Sequence, residues 1–307
     1  MISGISVRTK KALTYFFILA ILFGVYCYRE SGLGNSPESE QVVAGEKINN
    51  DVGKTKIYFL DVGQGDAILT VFVNGEKMLI DCGANASVLE ALGRVLKFGD
   101  RHIDYLLITH PDLDHYGGCI DVFGRFDVEN FVYNGMTKNS DKYFREFWSA
   151  LENEKATIEI IDHEDTWNVA NTNLHFLFPD EPLPAKLDDT NAGSIVLKMS
   201  VGESDVLFMG DASSEIEKYL LNKYGTILDS EILKIGHHGS TSASGEDFLR
   251  TVTPDYSVIS VGAGNRYGHP SERVLKRIER VNSSVLRTDL KGDIEMDLTS
   301  TNVKWNE

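Results

Sequence analysis

The chain has 307 residues, 42% of them hydrophobic, enough for a full core in one large domain or two small ones. Its formal net charge is −16, with the acid excess on the body of the chain from Thr55 onward. That field excludes an indiscriminate, tight nucleic-acid binder, which needs Lys or Arg at the phosphates, but not phosphodiester chemistry, because bound divalent cations reverse the local sign. Residues 1–11 carry Arg8, Lys10 and Lys11, and Ala12 to Tyr28 then runs 17 residues without a charge. That is the short end for a bilayer span. No A-x-A-like cleavage site follows, and Tyr26 is large for a lipoprotein signal around Cys27. Basic residues before the run and Glu30, Glu38, Glu40 and Glu46 after it place the N-terminus in the cytoplasm. The expectation is a single-pass membrane anchor over 12–28 with the rest outside the cytoplasm; secretion after signal cleavage is the alternative. Residues 29–54, rich in Gly, Ser, Asn and Glu, read as a linker.

Residues 55–307 read as the folded domain. Lys56–Asp61 is a strand, and Val62-Gly-Gln-Gly-Asp66 turns sharply after it. Ala67–Val73 and Lys77–Asp81 pair as a hairpin through Asn74-Gly75. Ser87 is expected to cap a helix whose Val88, Leu92, Val95 and Leu96 share one face. Asp104–Thr109 is the next strand, and Phe144, Phe147, Trp148 and Leu151 form a core-facing helical stripe. Asn173–Phe178, Ser194–Ser200 and Asp205–Met209 are strands, the last two joined through Val201-Gly202-Glu203-Ser204. Ser213 or Ser214 caps a helix, with Glu217 completing a capping box. Ser230–Ile235 and Tyr256–Val261 are strands, followed by Gly262–Pro270 and a helix from Ser271 that turns Val274, Leu275, Ile278 and Val281 inward. Short strands close the chain. Strands in hairpins with helices interleaved predict layered sheets covered by helices. The cysteines Cys27, Cys82 and Cys119 suggest neither a metal pair nor a disulfide framework; Cys119 reads as a small core residue.

The centre of the chain is Tyr105 to Gly118. An apolar run ends at Thr109, and four metal-capable side chains follow in six residues: His110, Asp112, Asp114 and His115. Pro111 holds His110 extended, and Gly117-Gly118 lets the backbone pass close to whatever those side chains hold. A rigid strand end with imidazoles and carboxylates converging on a small volume is how a metal site is built. Other chemistry-bearing residues recur at strand ends: Asp61 and Asp66, Asp81, Asp211, and His237 with His238. Loops at one edge of a rigid scaffold are where catalysis usually sits.

HPDLDHYGG at 110–118 resembles the H-x-[HD]-x-D-H signature of the metallo-β-lactamase fold, in the H-x-D-x-D-H-x-G-G variant of the ComEC-type competence proteins. The resemblance covers roughly residues 56–298. It rests also on FLDVGQGDA at 59–67, IDCG at 80–83, NAGSIVLKM at 191–199, FMGD at 208–211, LKIGHHGS at 233–240 and NRYGHP at 265–270. It implies an α+β fold, the four-layer αββα sandwich, and a metal-dependent hydrolase with two divalent ions, Zn or Mn. His110 and Asp112 would serve one ion, Asp114 and His115 the other, with Asp211 bridging and His237 a further ligand on the second. Many family members place a His before the strand matching Ser194–Ser200, where this chain has Asp189-Thr190-Asn191. Asp112 also stands where His is more usual, so the first site is poorer in nitrogen and Mn²⁺ competes with Zn²⁺.

The implied reaction is a phosphodiesterase or nuclease step driven by a two-metal-activated hydroxide, with DNA in a competence-like role among its substrates. Asp114 would both ligate and orient the nucleophile. His238, Lys234 and His269 would bind phosphate or protonate the leaving oxygen, with Arg266 adding a phosphate-matching fork. Two other readings remain on the residues. One is a same-fold hydrolase of a lactam, lactone or thioester, disfavoured by Asp112 and by the HHGS and YGHP segments. The other is a non-catalytic binding module, for which a paired ion site has no use. Oligomeric state is not legible.

Overall fold

The computed structural model describes residues 53–184, 187 and 189–306. The apolar run 12–28, Cys27 and the linker up to residue 52 lie outside the described residues. Among the described residues no helix is long and apolar enough to cross a membrane.

The hairpin expected at Asn74-Gly75 forms between β2 (Ile68–Val71) and β3 (Lys77–Ile80), with Gly75 left-handed. β1 (Thr55–Phe59) lies against β2, and β4 (His102–Ile108), β5 (Asp127–Tyr133) and β6 (Thr157–Ile160) extend the sheet on the other side of β3, all parallel to it. β14 (Ile294–Thr299) and β15 (Asn302–Asn306) return to the β1 edge, giving eight strands in the order β15-β14-β1-β2-β3-β4-β5-β6. The second sheet has seven. It comprises β7 (Asp165–Val169), β8 (Thr172–Phe178), β9 (Val196–Val201), β10 (Ser204–Phe208), β11 (Ile232–Lys234), β12 (Tyr256–Ile259) and β13 (Ser284–Arg287), ordered β13-β12-β11-β10-β9-β8-β7. Its β10 to β13 half is parallel.

Three buried clusters show the layering. Ile57, Phe59, Met78 and Leu107 of the first sheet pack against Phe176, Leu197, Phe208 and Val258 of the second. The outer face of the first sheet is covered by Val88 and Leu92 of the helix Ser87–Val95 and by Phe144, Phe147 and Leu151 of the helix Lys142–Glu154. Leu220, Leu249, Val274 and Ile278, from three later helices, cover the other. Helix, sheet, sheet, helix is the expected sandwich. Each fully buried Leu, Ile or Phe contributes on the order of 1.5–3 kcal/mol.

Local expectations fail where tertiary contacts override them. Ser87 does not cap its helix; its hydroxyl donates to the Val62 carbonyl, 2.9 Å away, and Ala86 occupies the cap position. Glu217 forms no capping box. It is buried and accepts from the Ser244 and Gly245 amides, tying the helix Ser214–Tyr224 to the loop after His238. The β7–β8 hairpin escaped the sequence reading because it turns through Ala170-Asn171, both left-handed without a glycine.

Candidate metal centre

In a parallel sheet successive strands end at the same edge, and that edge is where α/β folds collect ligands. Asp81 follows β3, Thr109 to His115 follow β4, Asp211 follows β10, His238 follows β11 and Ser260 follows β12. Asp114 and His115 ride on a single helical turn, Leu113–Tyr116. Close backbone packing holds that turn. A Cβ on Gly65 would come 2.1 Å from the Asp114 carbonyl oxygen, and one on Gly118 would come 2.3 Å from that of Cys82. The glycine pair after His115 is thus needed for packing against the Cys82–Asn85 turn, not for approach to a ligand.

The hydrogen bonds fix the imidazoles. His115 Nδ1 lies 2.7 Å from Asp81 Oδ2, and the Asp81 carboxylate also accepts from the Thr109 amide and hydroxyl, both at 2.8 Å. With its one proton on Asp81, Thr109 Oγ1 can only accept from His110 Nδ1, 3.1 Å away. His238 Nδ1 lies 3.0 Å from the Ser260 carbonyl oxygen, which can only accept. All three rings therefore carry N–H at Nδ1 and leave Nε2 free, the arrangement by which a second partner sets a metal-ligating imidazole. His110 Nε2, His115 Nε2, His238 Nε2 and Asp211 Oδ1 are buried with no hydrogen-bond partner. His115 Nε2 is 3.5 Å from Asp211 Oδ1, and His238 Nε2 is 3.4 Å from Asp114 Oδ2 and 3.5 Å from Asp211 Oδ2. Orphaned buried groups cost free energy unless something satisfies them. A divalent cation fits these donors.

Electrostatics agree. Burial works against charge throughout, yet His238 and His115 outweigh it and hold the Asp211 carboxyl well below the usual carboxylate range. Burial likewise opposes charge on His238, but Asp211 and Asp66 push it up to about 10; Asp211 and Asp81 raise His115 in the same way. His110 goes the other way: burial, and then His115 beside it, bring it down to about 4. A cation bound among these nitrogens displaces the protons.

Several expected residues take other places. Of the His pair, both left-handed, it is His238 that turns into the centre; His237 stands at the rim, its Nε2 3.8 Å from Asp211 and its Nδ1 3.1 Å from the Ser242 hydroxyl. Lys234 cannot reach substrate. It is 0% exposed, with Nζ 2.7 Å from Asp66 Oδ2 and donating to the Ile235 carbonyl, and Asp66 Oδ1 in turn lies 3.3 Å from His238 Nδ1. It is a positioning residue behind His238. Asp61 is a turn residue, accepting from the Gly63 amide. His269 is half-buried at the rim, its ring 5.9 Å from His237 and stacked at 5.9 Å on Tyr267, and the Arg266 guanidinium lies 5.1 Å from the Tyr267 ring centre. Asn265 folds this loop through bonds to Gly262, Tyr267 and His269, a role that its place in the motif left silent.

Asp112 is held differently from its neighbours. Its Oδ1 accepts from both Lys138 Nζ and Thr190 Oγ1, while Oδ2 lies 3.8 Å from His110 Nε2. Neither Lys138 nor Thr190 was singled out from sequence. Cys82 and Cys119 are also not what the sequence suggested: they form a buried disulfide, joining the end of the Ile80-Asp81-Cys82 segment to the first residue after Gly117-Gly118. Parallel β3 and β4 bring together two segments far apart in the chain, as the 2.7 Å bond from the Cys82 amide to the His115 carbonyl shows.

Residues 60–263 match the Metallo-beta-lactamase superfamily. The chain belongs to this superfamily. Its members are generally metal-dependent hydrolases, which the donor set described above suits. Over 257 residues the chain is 30% identical to ComE operon protein 3 of Bacillus subtilis (strain 168), covering 78% of this chain and 32% of that protein. Over 294 residues it is 30% identical to Competence protein ComA of Neisseria gonorrhoeae, covering 94% and 39%. The likeness to competence proteins read from the motifs is borne out, with the chain spanning about a third of the length of these relatives. Among solved structures, CmlA, a diiron β-hydroxylase from Streptomyces venezuelae, is similar with a TM-score of 0.50 at 14% identity, over 80% of this chain and 54% of CmlA. At that identity the likeness speaks for the fold alone.

Proposed function

We propose that this metallo-β-lactamase-superfamily protein is a metal-dependent phosphodiesterase, with DNA among its substrates, anchored through residues 12–28 and facing away from the cytoplasm. The observation that carries the reading is that three buried, unpartnered Nε2 atoms and Asp211 Oδ1 gather at one sheet edge in adjoining groups, His110 with His115 and Asp211, and His238 with His115 and Asp114. His110 and Asp112 would hold one ion, Asp114, His115 and His238 the other, with Asp211 between them. Zn²⁺ and Mn²⁺ are both compatible with nitrogen and carboxylate donors. Bound there, divalent ions supply Lewis acidity, bringing water within reach of attack near neutral pH and offsetting charge on a phosphoryl oxygen.

The protein's own groups do the rest. Asp81 and Ser260 hold His115 and His238 in register, and Lys234 balances Asp66 behind them. Asp114, with a third of its side chain exposed, sits where it can orient the attacking water. At the mouth, Tyr267 is 53% exposed with Arg266 against it. An aromatic face beside a guanidinium suits a nucleobase and its phosphate, which supports a nucleic-acid diester over a lactam or thioester. The buried disulfide supports the outward-facing location, since such bonds persist in oxidising compartments.

The test strips the full-length protein of metal, reloads it separately with Mn²⁺ and Zn²⁺, and assays an activated phosphodiester and single- and double-stranded DNA. The expected result is metal-dependent cleavage that disappears in the Asp114→Ala, His115→Ala double variant. Metal-loaded protein that hydrolyses a thioester or lactam but no diester would overturn the substrate class.

A further inference from the structure

The two ends of the metal centre are not built alike. Around Asp114, His115 and His238 three ligand atoms lie within 4.8 Å of one another, and Asp211 joins His238 in a second such group. Among the described residues no such group includes Asp112, although His110 groups with His115 and Asp211. Asp112 spends one oxygen on Lys138 and Thr190 together, and the ammonium cancels its charge. A cation arriving beside His110 thus meets a carboxylate already neutralised by Lys138, while a cation beside His238 meets the Asp114 carboxylate, whose only ion-pair partner among the described residues is the His238 ligand itself; His115 and Asp211 stand within reach of both. Like charge adds to the deficit: Lys138 Nζ is itself a cation in hydrogen-bond contact with the ligand, and Coulomb repulsion at that range is large wherever water is partly excluded.

We propose that Lys138 is a built-in competitor for the ion site at His110 and Asp112, so that the protein holds one ion firmly at Asp114, His115, His238 and Asp211 and takes up the other reversibly. The inference rests on the metal-dependent reading above. It gives Lys138 a role that no ligand motif contains: the side chain occupies the carboxylate when the weaker ion is away and withdraws when it binds. A third of the Lys138 side chain is exposed, which leaves it room to withdraw, and Thr190 keeps Asp112 in place meanwhile.

The test counts ions rather than turnover. Metal-free full-length protein is titrated with Mn²⁺, and free Mn²⁺ is followed by its paramagnetic resonance signal. The wild type is expected to hold one Mn²⁺ at least tenfold more tightly than a second. Lys138→Met, which keeps the stem and removes the charge, should tighten the weaker ion about tenfold and leave the tighter one unchanged. Lys138→Arg should keep the wild-type gap. Two equally tight ions in the wild type, or a weaker ion that is unmoved or loosened in Lys138→Met, would overturn the inference while leaving the hydrolase reading intact. A wild type that binds no Mn²⁺ or Zn²⁺ at all would overturn both.

Discussion

The deep wall of the centre and its rim follow different rules. In the wall, the partners are buried and fixed: His115 is tied to Asp81, His238 to Ser260 and Asp66, and Asp66 to Lys234. At the rim, Asp112, His237, Arg266 and Tyr267 are partly or largely exposed and lean on hydroxyls, neighbouring rings or a partly exposed ammonium. The wall holds donors in one geometry, and the rim can yield to a substrate. Substitutions in the wall should therefore be costly in stability and ion affinity, and those at the rim should be mild.

The largest effect is expected at Lys234. Lys234→Met leaves the buried Asp66 carboxylate without its cation, which should destabilise the protein by about 3–5 kcal/mol in urea unfolding. Adding Asp66→Asn should recover most of that, because the uncompensated charge is then gone. Next comes Asp81→Asn, which removes the acceptor charge behind His115. A loss of roughly 10–100-fold in ion affinity by titration calorimetry is expected with the fold retained, the usual size of such an outer-shell loss.

pH offers a third way to sharpen the contrast. The folded-state value of His238 in the metal-free protein is raised to about 10 from an ordinary 6.5. A raised imidazole stabilises the fold fully below 6.5, and that contribution fades as pH climbs toward 10. The melting temperature of metal-free protein should accordingly fall over this window. Ion-loaded protein should move in the opposite sense at its lower end, since binding needs the nitrogens free of protons. A metal-free melting curve that is flat from pH 6.5 to 9.5 would contradict the charged state assigned to His238. The smallest effect is expected at His237: replacement by Ala should change ion affinity by less than about threefold, whereas His238→Ala should lose an ion. Equal losses from the two would erase the distinction between wall and rim.

What the sequence could tell followed the same division. The cluster from His110 to His115 was legible because its residues are contiguous and follow an apolar strand, and Asp211 because a Gly-Asp ends one. The choice between His237 and His238 was not, since two successive left-handed residues set it, with no glycine to mark them. Lys234 was read as a candidate for binding phosphate or protonating the leaving oxygen, and it is instead buried against Asp66. Yet its neighbours Ile232, Leu233 and Ile235 are all apolar, the mark of a strand buried on both faces, where a lysine must find an acid. Lys138 and Thr190 meet Asp112 only through tertiary approach, from a loop 26 residues away and a short helical turn 78 residues away, and no local pattern announces that. The sheets were legible through hairpin glycines and apolar runs; β5 and β6 were missed because Asp127 and Glu129 in the one and Glu159 in the other interrupt their apolar runs.

The link between Cys82 and Cys119 makes a closed ring out of part of the chain. The ring spans 37 positions of sequence and contains β4 together with all four clustered donors, His110, Asp112, Asp114 and His115. Ring closure of that size limits the unfolded chain by roughly 4 kcal/mol on the polymer-entropy relation, so thermal unfolding leaves the four donors on a tethered loop. The ring also has an exposed corner at Phe98, just before Gly99-Asp100. A protease cutting there would open the polypeptide without separating it: the two pieces would run as one band until a reductant is added.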